Sequence, residues 1–359
     1  MGYSEQLVTD TQVAPPYPGK SPDLISLGDG LNFSTPLALV NRTVVDNPLF
    51  FLRSNNPPPN LTSGDWRVQV DGRVKHPLTL DLERLKALPS VTHEVWLECA
   101  GNSRSRWNPP GEGNQWDDQA ISDARFTGVP LATILEQAGV EDDAIEVVAT
   151  GYDVDAKGTH FQRGLPLQVA RDRGVLLVYA MNDQPIPEPN GGPVRLIVPR
   201  WAGIASVKWP ARLELVSEPF RGYYNAERYI VVDGEGRTTG VIREMPVKSV
   251  VAWPTEGERV TAGPHTVFGF AWSGHAPIER VEVSTDEQRT WSPASLTPGD
   301  GPLAWTRWQF TWTPSSGGSA RFAVRATDRA GNTQPEHAAW NKFGYQMNAI
   351  LTRTVIVEG

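Results

Sequence analysis

"EVWLECAGNSRSRWNPP", residues 94–110, carries the only cysteine of the chain, Cys99. A short run of alternating apolar residues ends at the thiol, and a loop of small, polar and cationic residues follows it. The alternation predicts a strand. Ala100–Gly101–Asn102 predicts a tight turn in which backbone can approach a ligand closely. A lone cysteine at a strand end is usually a small buried apolar residue. Here Arg104 and Arg106 lie within a few residues and favour thiolate over thiol, while Trp96 and Trp107 flank the position and are expected to exclude water.

Working outward, "WRVQV", "HEVWLEC", "AIEVVAT", "VLLVYAM", "PVRLIV" and "RLELV" read as strands bounded by Gly, Pro or Asn. Between them, "LDLERLKALP" places Leu82, Leu85 and Leu88 on one helical face and stops at Pro89. "VPLATILEQAG" sets Pro130 at a first helical position, an apolar face of Leu131, Ile134, Leu135 and Ala138, and Gly139 at the end. The proline- and asparagine-rich start, ending in "FLRSNNPPPN", reads as extended chain lying on this mixed α+β body.

From about residue 245 only strands follow: "TVFGFAW", "IERVEVS", "WTRWQFTW", "ARFAVRAT" and "ILTRTVIV". Short strands joined by Gly/Pro/Ser turns over about 100 residues match an all-β sandwich of immunoglobulin type. The fold class is therefore α+β, with a catalytic domain over residues 1–240 and a sandwich over 241–359. The boundary lies in "DGEGRTTGVIREMP", residues 233–246. Phe268, Phe270 and Trp272 share one strand face, and exposed aromatics of this kind are candidates for a contact between subunits.

The chain has 359 residues, 39% hydrophobic and 21% charged, as in an ordinary soluble globular protein of two domains. A net charge of −8 argues against nucleic acid or anionic lipid as partner. No segment approaches the apolar length of a membrane span, and no signal peptide is evident. The Met1 start points to the cytoplasm, or to the periplasm if a leader was removed. One cysteine excludes an internal disulfide, cysteine-only zinc sites and iron–sulfur clusters. Three chemistries remain for a thiolate beside arginines. A nucleophile needs a base nearby, and sequence cannot place His93; a thiolate-ligated haem belongs to largely helical proteins. A soft metal whose other ligands are not side chains is left.

"ECAGNSR" resembles the cysteine loop of the sulfite oxidase family of molybdenum enzymes. "FFLRSNNPPP", "QWDDQAISDARFTGVPLATIL", "VLLVYAMNDQPIPEPNGGPVRLIVPRWAGIASVKW" and the C-terminal "PVKSVV" and "NTQPE" are similar to further family segments, in the family's order. The resemblance implies a molybdenum cofactor held by a pterin, with Cys99 as metal ligand and Arg53 and Arg104 as cations facing a small oxyanion. Arg53, Ser54, Asn55, Asp153, Asn190, Arg195, Ser206, Val207 and Lys208 are implied to hold the cofactor and its phosphate. It also implies a homodimer and oxidation of sulfite to sulfate, with electrons passing to an external acceptor such as a cytochrome or oxygen. No haem is expected, since the six histidines show no haem loop.

Four positions depart from the pattern. Where the family's tyrosine is expected, in "KGTHFQRGLPL", Phe161 stands with His160 beside it as a substitute donor. Glu112 lies near the place of an expected lysine, and Asn55 and Asn190 replace histidine. Another oxyanion, an S- or N-oxide reduced instead of oxidised, or a catalytically silent binding protein are the alternative readings.

Overall fold

The computed structural model describes residues 15, 17–314 and 317–358. The chain is mostly β-structure, and its few helices are short. Leu82–Lys86 is capped by the Asp81 carboxylate, which accepts from the Arg84 N–H at 2.8 Å, and it ends before Pro89. Leu131–Ala138 buries all four residues of its apolar face. Pro130 sits one place earlier than expected, as the N-cap, and Gly139 closes the helix with φ 68°.

Two sheets build the first part of the chain. One runs Gln184–Pro185, Leu176–Met181, Ile121–Pro130, Val91–Glu98, with Arg195–Ile197 also paired to Leu176–Met181; every pairing is antiparallel. The other runs Leu78–Asp81, Arg67–Gly72, Pro210–Val216, Glu146–Val154, His160–Pro166. Only Pro210–Val216 on Arg67–Gly72 is parallel there. Val129 and Leu177 of the first sheet, Val68, Val147 and Leu213 of the second, and Leu131 and Leu135 of the helix share one core. The six strands read in this region from sequence all form.

From Lys248 onward two sheets face each other. Four strands run Lys248–Trp253, His265–Trp272, Thr306–Trp312, Ser295–Pro298, and five run Arg259–Thr261, Leu351–Glu358, Gly318–Asp328, Ile278–Ser284, Ser292–Pro293. Alternation along His265–Trp272 sends Val267 and Ala271 inward, where they meet Trp308, Trp312, Val281, Phe322, Val324 and Val355. The same alternation turns Phe270 and Trp272 the other way.

That second face is not free. Phe270 stacks on Trp305 at 4.0 Å, Trp272 lies 6.5 Å from Trp96, and all four belong to a core shared with Ile121 and Ala124 of the first part. The aromatic face of His265–Trp272 is thus largely covered within the chain; Phe268, at the edge, lies under the Arg307 guanidinium. The stretch at 233–246 is no bare linker either. Ile230–Val232 and Thr238–Val241 pair as a hairpin, and Ile230, Val232, Ile242 and Met245 bury in the same shared core.

Candidate active site

Alternation in Val91–Glu98 decides where the thiol points. The last five residues of the strand are buried, so both faces are covered. Glu94, Trp96 and Glu98 look toward the C-terminal part, while Leu97 and Cys99 line a cleft on the other side. The Cys99 N–H donates to the Ala120 carbonyl at 2.9 Å, and the Asn102 N–H returns to the Cys99 carbonyl at 2.9 Å, which closes the turn. A Cβ at Gly101 would strike the Arg104 guanidinium, so any other residue there would force that side chain to shift.

The cleft is open to solvent, and about 70 Å³ within it admits a water-sized sphere. Phe50, Phe51, Arg53, Ser54 and Asn55 enter it from the N-terminal segment, and Asp153 and Phe161 from the second sheet. Asn190, Arg195, Ser206, Val207 and Lys208 enter from the segments around the Arg195–Ile197 strand. Every residue the resemblance assigns to the cofactor lies on this one wall.

Its charge is lopsided. Lys208 is half-buried; desolvation, then the nearby Arg195 charge, pushes its pKa well below 10.5. Burial likewise lowers Arg195, to about 9. The Arg195 guanidinium donates to the carbonyls of Asn190 (2.7 Å) and Ser206 (3.1 Å), but its buried Nε has no partner. Arg53 is half-buried, and there the Tyr229 hydroxyl and Cys99 sulfur outweigh desolvation and raise its pKa. The only carboxylate on the wall, Asp153, has its own pKa raised by burial, although Asn56 Nδ2 donates to it at 3.0 Å.

Three basic side chains, Arg195 buried and Arg53 and Lys208 half-buried, against one acid leave the cleft short of negative charge, which an anionic guest supplies. Among the described residues no three His, Cys, Asp or Glu side chains gather to hold a metal by themselves. A soft thiol, an orphaned guanidinium N–H and an ammonium therefore fit a phosphate-bearing group that brings its own metal ligands.

A second hollow adjoins the first and shares Arg53, Asn55, Cys99 and Tyr229 with it. Arg104, Glu112, Arg228, Tyr223, Tyr224 and Tyr345 complete it. Arg104 is held from far along the chain: its Nε donates to the Phe343 carbonyl at 2.8 Å, Nη1 to the Asn114 carbonyl, and the guanidinium lies 5.2 Å over the Tyr345 ring. Among the described residues its Nη2 alone has no hydrogen-bond acceptor. Arg53 is more fully committed, donating to Asn32 Oδ1, the Ser54 carbonyl and Asn55 Oδ1 (2.6 Å).

His160 lies outside both hollows, exposed at the start of its strand with Nδ1 2.8 Å from the Gly151 carbonyl. Phe161 lines the cleft and packs on Tyr224, ring centroids 4.7 Å apart. A tyrosine, Tyr229, lines both hollows. Its OH accepts from Arg53 Nη2 at 3.4 Å, and its ring stacks on Tyr345 at 5.1 Å. In "AERYIVV" this tyrosine looks like any strand residue; its φ of 54°, uncommon for a non-glycine, marks it only in three dimensions. Trp96 and Trp107 line neither hollow. Trp96 packs on Trp272, and Trp107 clusters with Met347 and Ala349.

Residues 55–224 match the oxidoreductase molybdopterin binding domain, and residues 239–358 the Mo-co oxidoreductase dimerisation domain. The chain is 35% identical over 341 residues to mitochondrial sulfite oxidase of Homo sapiens, which covers 88% of this chain and 62% of that protein. It is 34% identical over 332 residues to sulfite oxidase of Gallus gallus, covering 85% of this chain and 72% of that protein. The chain thus spans 62% of the length of its mammalian relative. The crystal structure of the sulfane dehydrogenase SoxCD from Paracoccus pantotrophus superposes with a TM-score of 0.83 at 28% identity, over 91% of this chain and 87% of that one. Thiol, cation wall, and likeness along nearly the whole length agree: the chain belongs to the sulfite oxidase family of molybdopterin oxidoreductases.

Proposed function

We propose that this chain is a molybdenum-cofactor oxidoreductase that converts sulfite and water to sulfate, two protons and two electrons, the electrons leaving to an external acceptor such as a cytochrome or oxygen. The observation that carries the reading is the convergence of Cys99 with three basic side chains, buried Arg195 and half-buried Arg53 and Lys208, on one cleft. When bound, the molybdenum cofactor supplies two-electron redox and oxygen-atom-transfer chemistry. Cys99 supplies a thiolate ligand; Arg195, Lys208, Ser206 and Asn190 hold the pterin and its phosphate. Arg104 Nη2 and the Arg53 guanidinium bind the anion in the adjoining hollow, and the Tyr229 hydroxyl donates to it or relays its proton.

The test is elemental analysis followed by anaerobic addition of sulfite, read optically and by EPR. Molybdenum near one per chain and a reduced signal are expected; absence of metal from a host that makes the cofactor points to a silent binding protein. A second reading, another oxyanion or an S- or N-oxide, is favoured by one observation. Arg53 already spends donors on Asn32, Ser54 and Asn55, and Glu112 sets a carboxylate at the mouth. Turnover of an S-oxide with a reduced dye, and none of sulfite, selects it. The C-terminal sheets are read as an immunoglobulin-like unit from residue 241 through which two copies pair, and the compartment as cytoplasmic. Among the described residues no helix is long and apolar enough to cross a membrane.

A further inference from the structure

The strand that presents Cys99 to the cleft turns Glu98 the other way, into the C-terminal sheets. Both members of the resulting ion pair are almost wholly buried, Glu98 at 0% and Lys248 at 1% side-chain exposure. Glu98 Oε1 accepts from Lys248 Nζ at 3.2 Å and from Asn102 Nδ2 at 2.9 Å, and Oε2 accepts from Trp272 Nε1 at 2.7 Å. Lys248 Nζ also donates to the Asn102 carbonyl at 3.3 Å. Asn102 Oδ1 in turn accepts from the Ala120 N–H at 3.0 Å, next to the carbonyl that receives the Cys99 N–H. The cysteine turn is therefore tied at both ends to one ammonium from the far side of the chain.

Such a pair is poorly explained as a source of stability, because two charges taken out of water recover their hydration only where the geometry is close. It is well explained as a device that fixes one arrangement of the turn. A neighbouring contact points the same way: the Gln346 N–H donates to the Ala100 carbonyl at 2.8 Å.

We infer that Lys248 is a positioning residue for Cys99, acting through Glu98 and Asn102, so that the C-terminal sheets help build the site they cover. The inference deepens the proposed function, on which the importance of Cys99 rests. Because Cys99 is the only thiol, its alkylation by iodoacetamide reports the turn in cofactor-free protein, where no metal masks the sulfur. Full-length protein is purified from a host that makes the cofactor, for molybdenum per chain, and from one that does not, for alkylation rate. Lys248→Met should speed alkylation about tenfold and cut molybdenum about fivefold, by raising the population of an opened turn. Glu98→Gln/Lys248→Gln, which restores neutral hydrogen bonding, should return both to within about threefold of wild type. Val324→Ala, in the core between the C-terminal sheets, should lower the melting temperature and move neither.

Alkylation of Lys248→Met at the wild-type rate overturns the inference, as does equal acceleration by Val324→Ala or failure of the double variant to restore. If Lys248→Met does not accumulate, Glu98→Gln alone takes its place as the unpaired case. Wild-type protein without molybdenum would defeat the proposed function, while the alkylation series would still decide the role of Lys248.

Discussion

Replacing Lys208 by methionine in the cofactor-free chain is expected to stabilise it, against what a count of its contacts suggests. Lys208 Nζ donates to Ser54 Oγ at 2.8 Å and to the Pro189 carbonyl at 2.6 Å. Losing those bonds costs about 1 kcal/mol each, and the stranded carbonyl adds about 1–2 kcal/mol. On the other side stands burial, which with Arg195 depresses the lysine from 10.5. At pH 7 that penalty is capped at the cost of giving up the proton, about 5 kcal/mol for the 3.5 pH units below 10.5. The difference sets a ceiling of about 1–2 kcal/mol on the gain for methionine. Because the folded pKa lies below the unfolded one, the penalty is complete below the folded value and fades as pH rises to 10.5. Wild type should therefore gain stability between pH 7 and 10, while the advantage of the variant shrinks. Lys20, lowered by burial to about 7, adds the same slope to both proteins. Urea midpoints of metal-free, full-length protein at pH 7 and 10 measure this, and molybdenum retention in a cofactor-making host should fall in parallel. A variant less stable than wild type at pH 7, or an advantage that grows with pH, refutes the reasoning.

Cys99→Ser should abolish turnover and leave the circular dichroism spectrum unchanged, because an alkoxide is a harder ligand than a thiolate; retained turnover removes the sulfur from the mechanism. Tyr229→Phe should lower turnover about tenfold or more, the equivalent of one lost hydrogen bond to a charged group. His160→Ala should stay within about twofold, since that ring faces away from both hollows; steady-state rates with sulfite separate the two. Asp123 is buried beside Glu94, and burial, then that neighbour, raises its pKa well above 3.8. Its contribution is thus present at low pH and lost as pH rises above 3.8. Asp123→Asn should match wild type near pH 4 and exceed it by about 1–2 kcal/mol at pH 8. Thermal melts across that range check the trend.

Local pattern carried much of the architecture. Period-two alternation located the strands on either side of Cys99, and the spacing of Leu131, Ile134, Leu135 and Ala138 located the longest helix. What stayed hidden depends on partners distant in sequence. Nothing in "NSRSR" says that Arg104 donates to a carbonyl 239 residues away. "YNAERYIV" gives no sign that Tyr229 reaches Arg53. The aromatic face of His265–Trp272 was legible as a face, but whether another subunit or the same chain covers it is decided by how the two parts dock. The mixed α+β expectation gave way to a β-rich body because only the segment ending at Gly139 sustains a helical stripe beyond five residues.

The shared core around Trp305 bears on how this chain can be cut and recombined. The Trp305 N–H donates to Asp123 at 2.9 Å, its indole donates to the Thr43 carbonyl, and its ring stacks on Phe270. A fragment ending near residue 240 would bare Trp96, Ile121 and Ala124 to water and invite aggregation. Grafting a foreign C-terminal half would demand a matching indole at that spot. Inheritance of the two halves is coupled, and a chimaera that ignores this seam should fail before its chemistry is ever assayed.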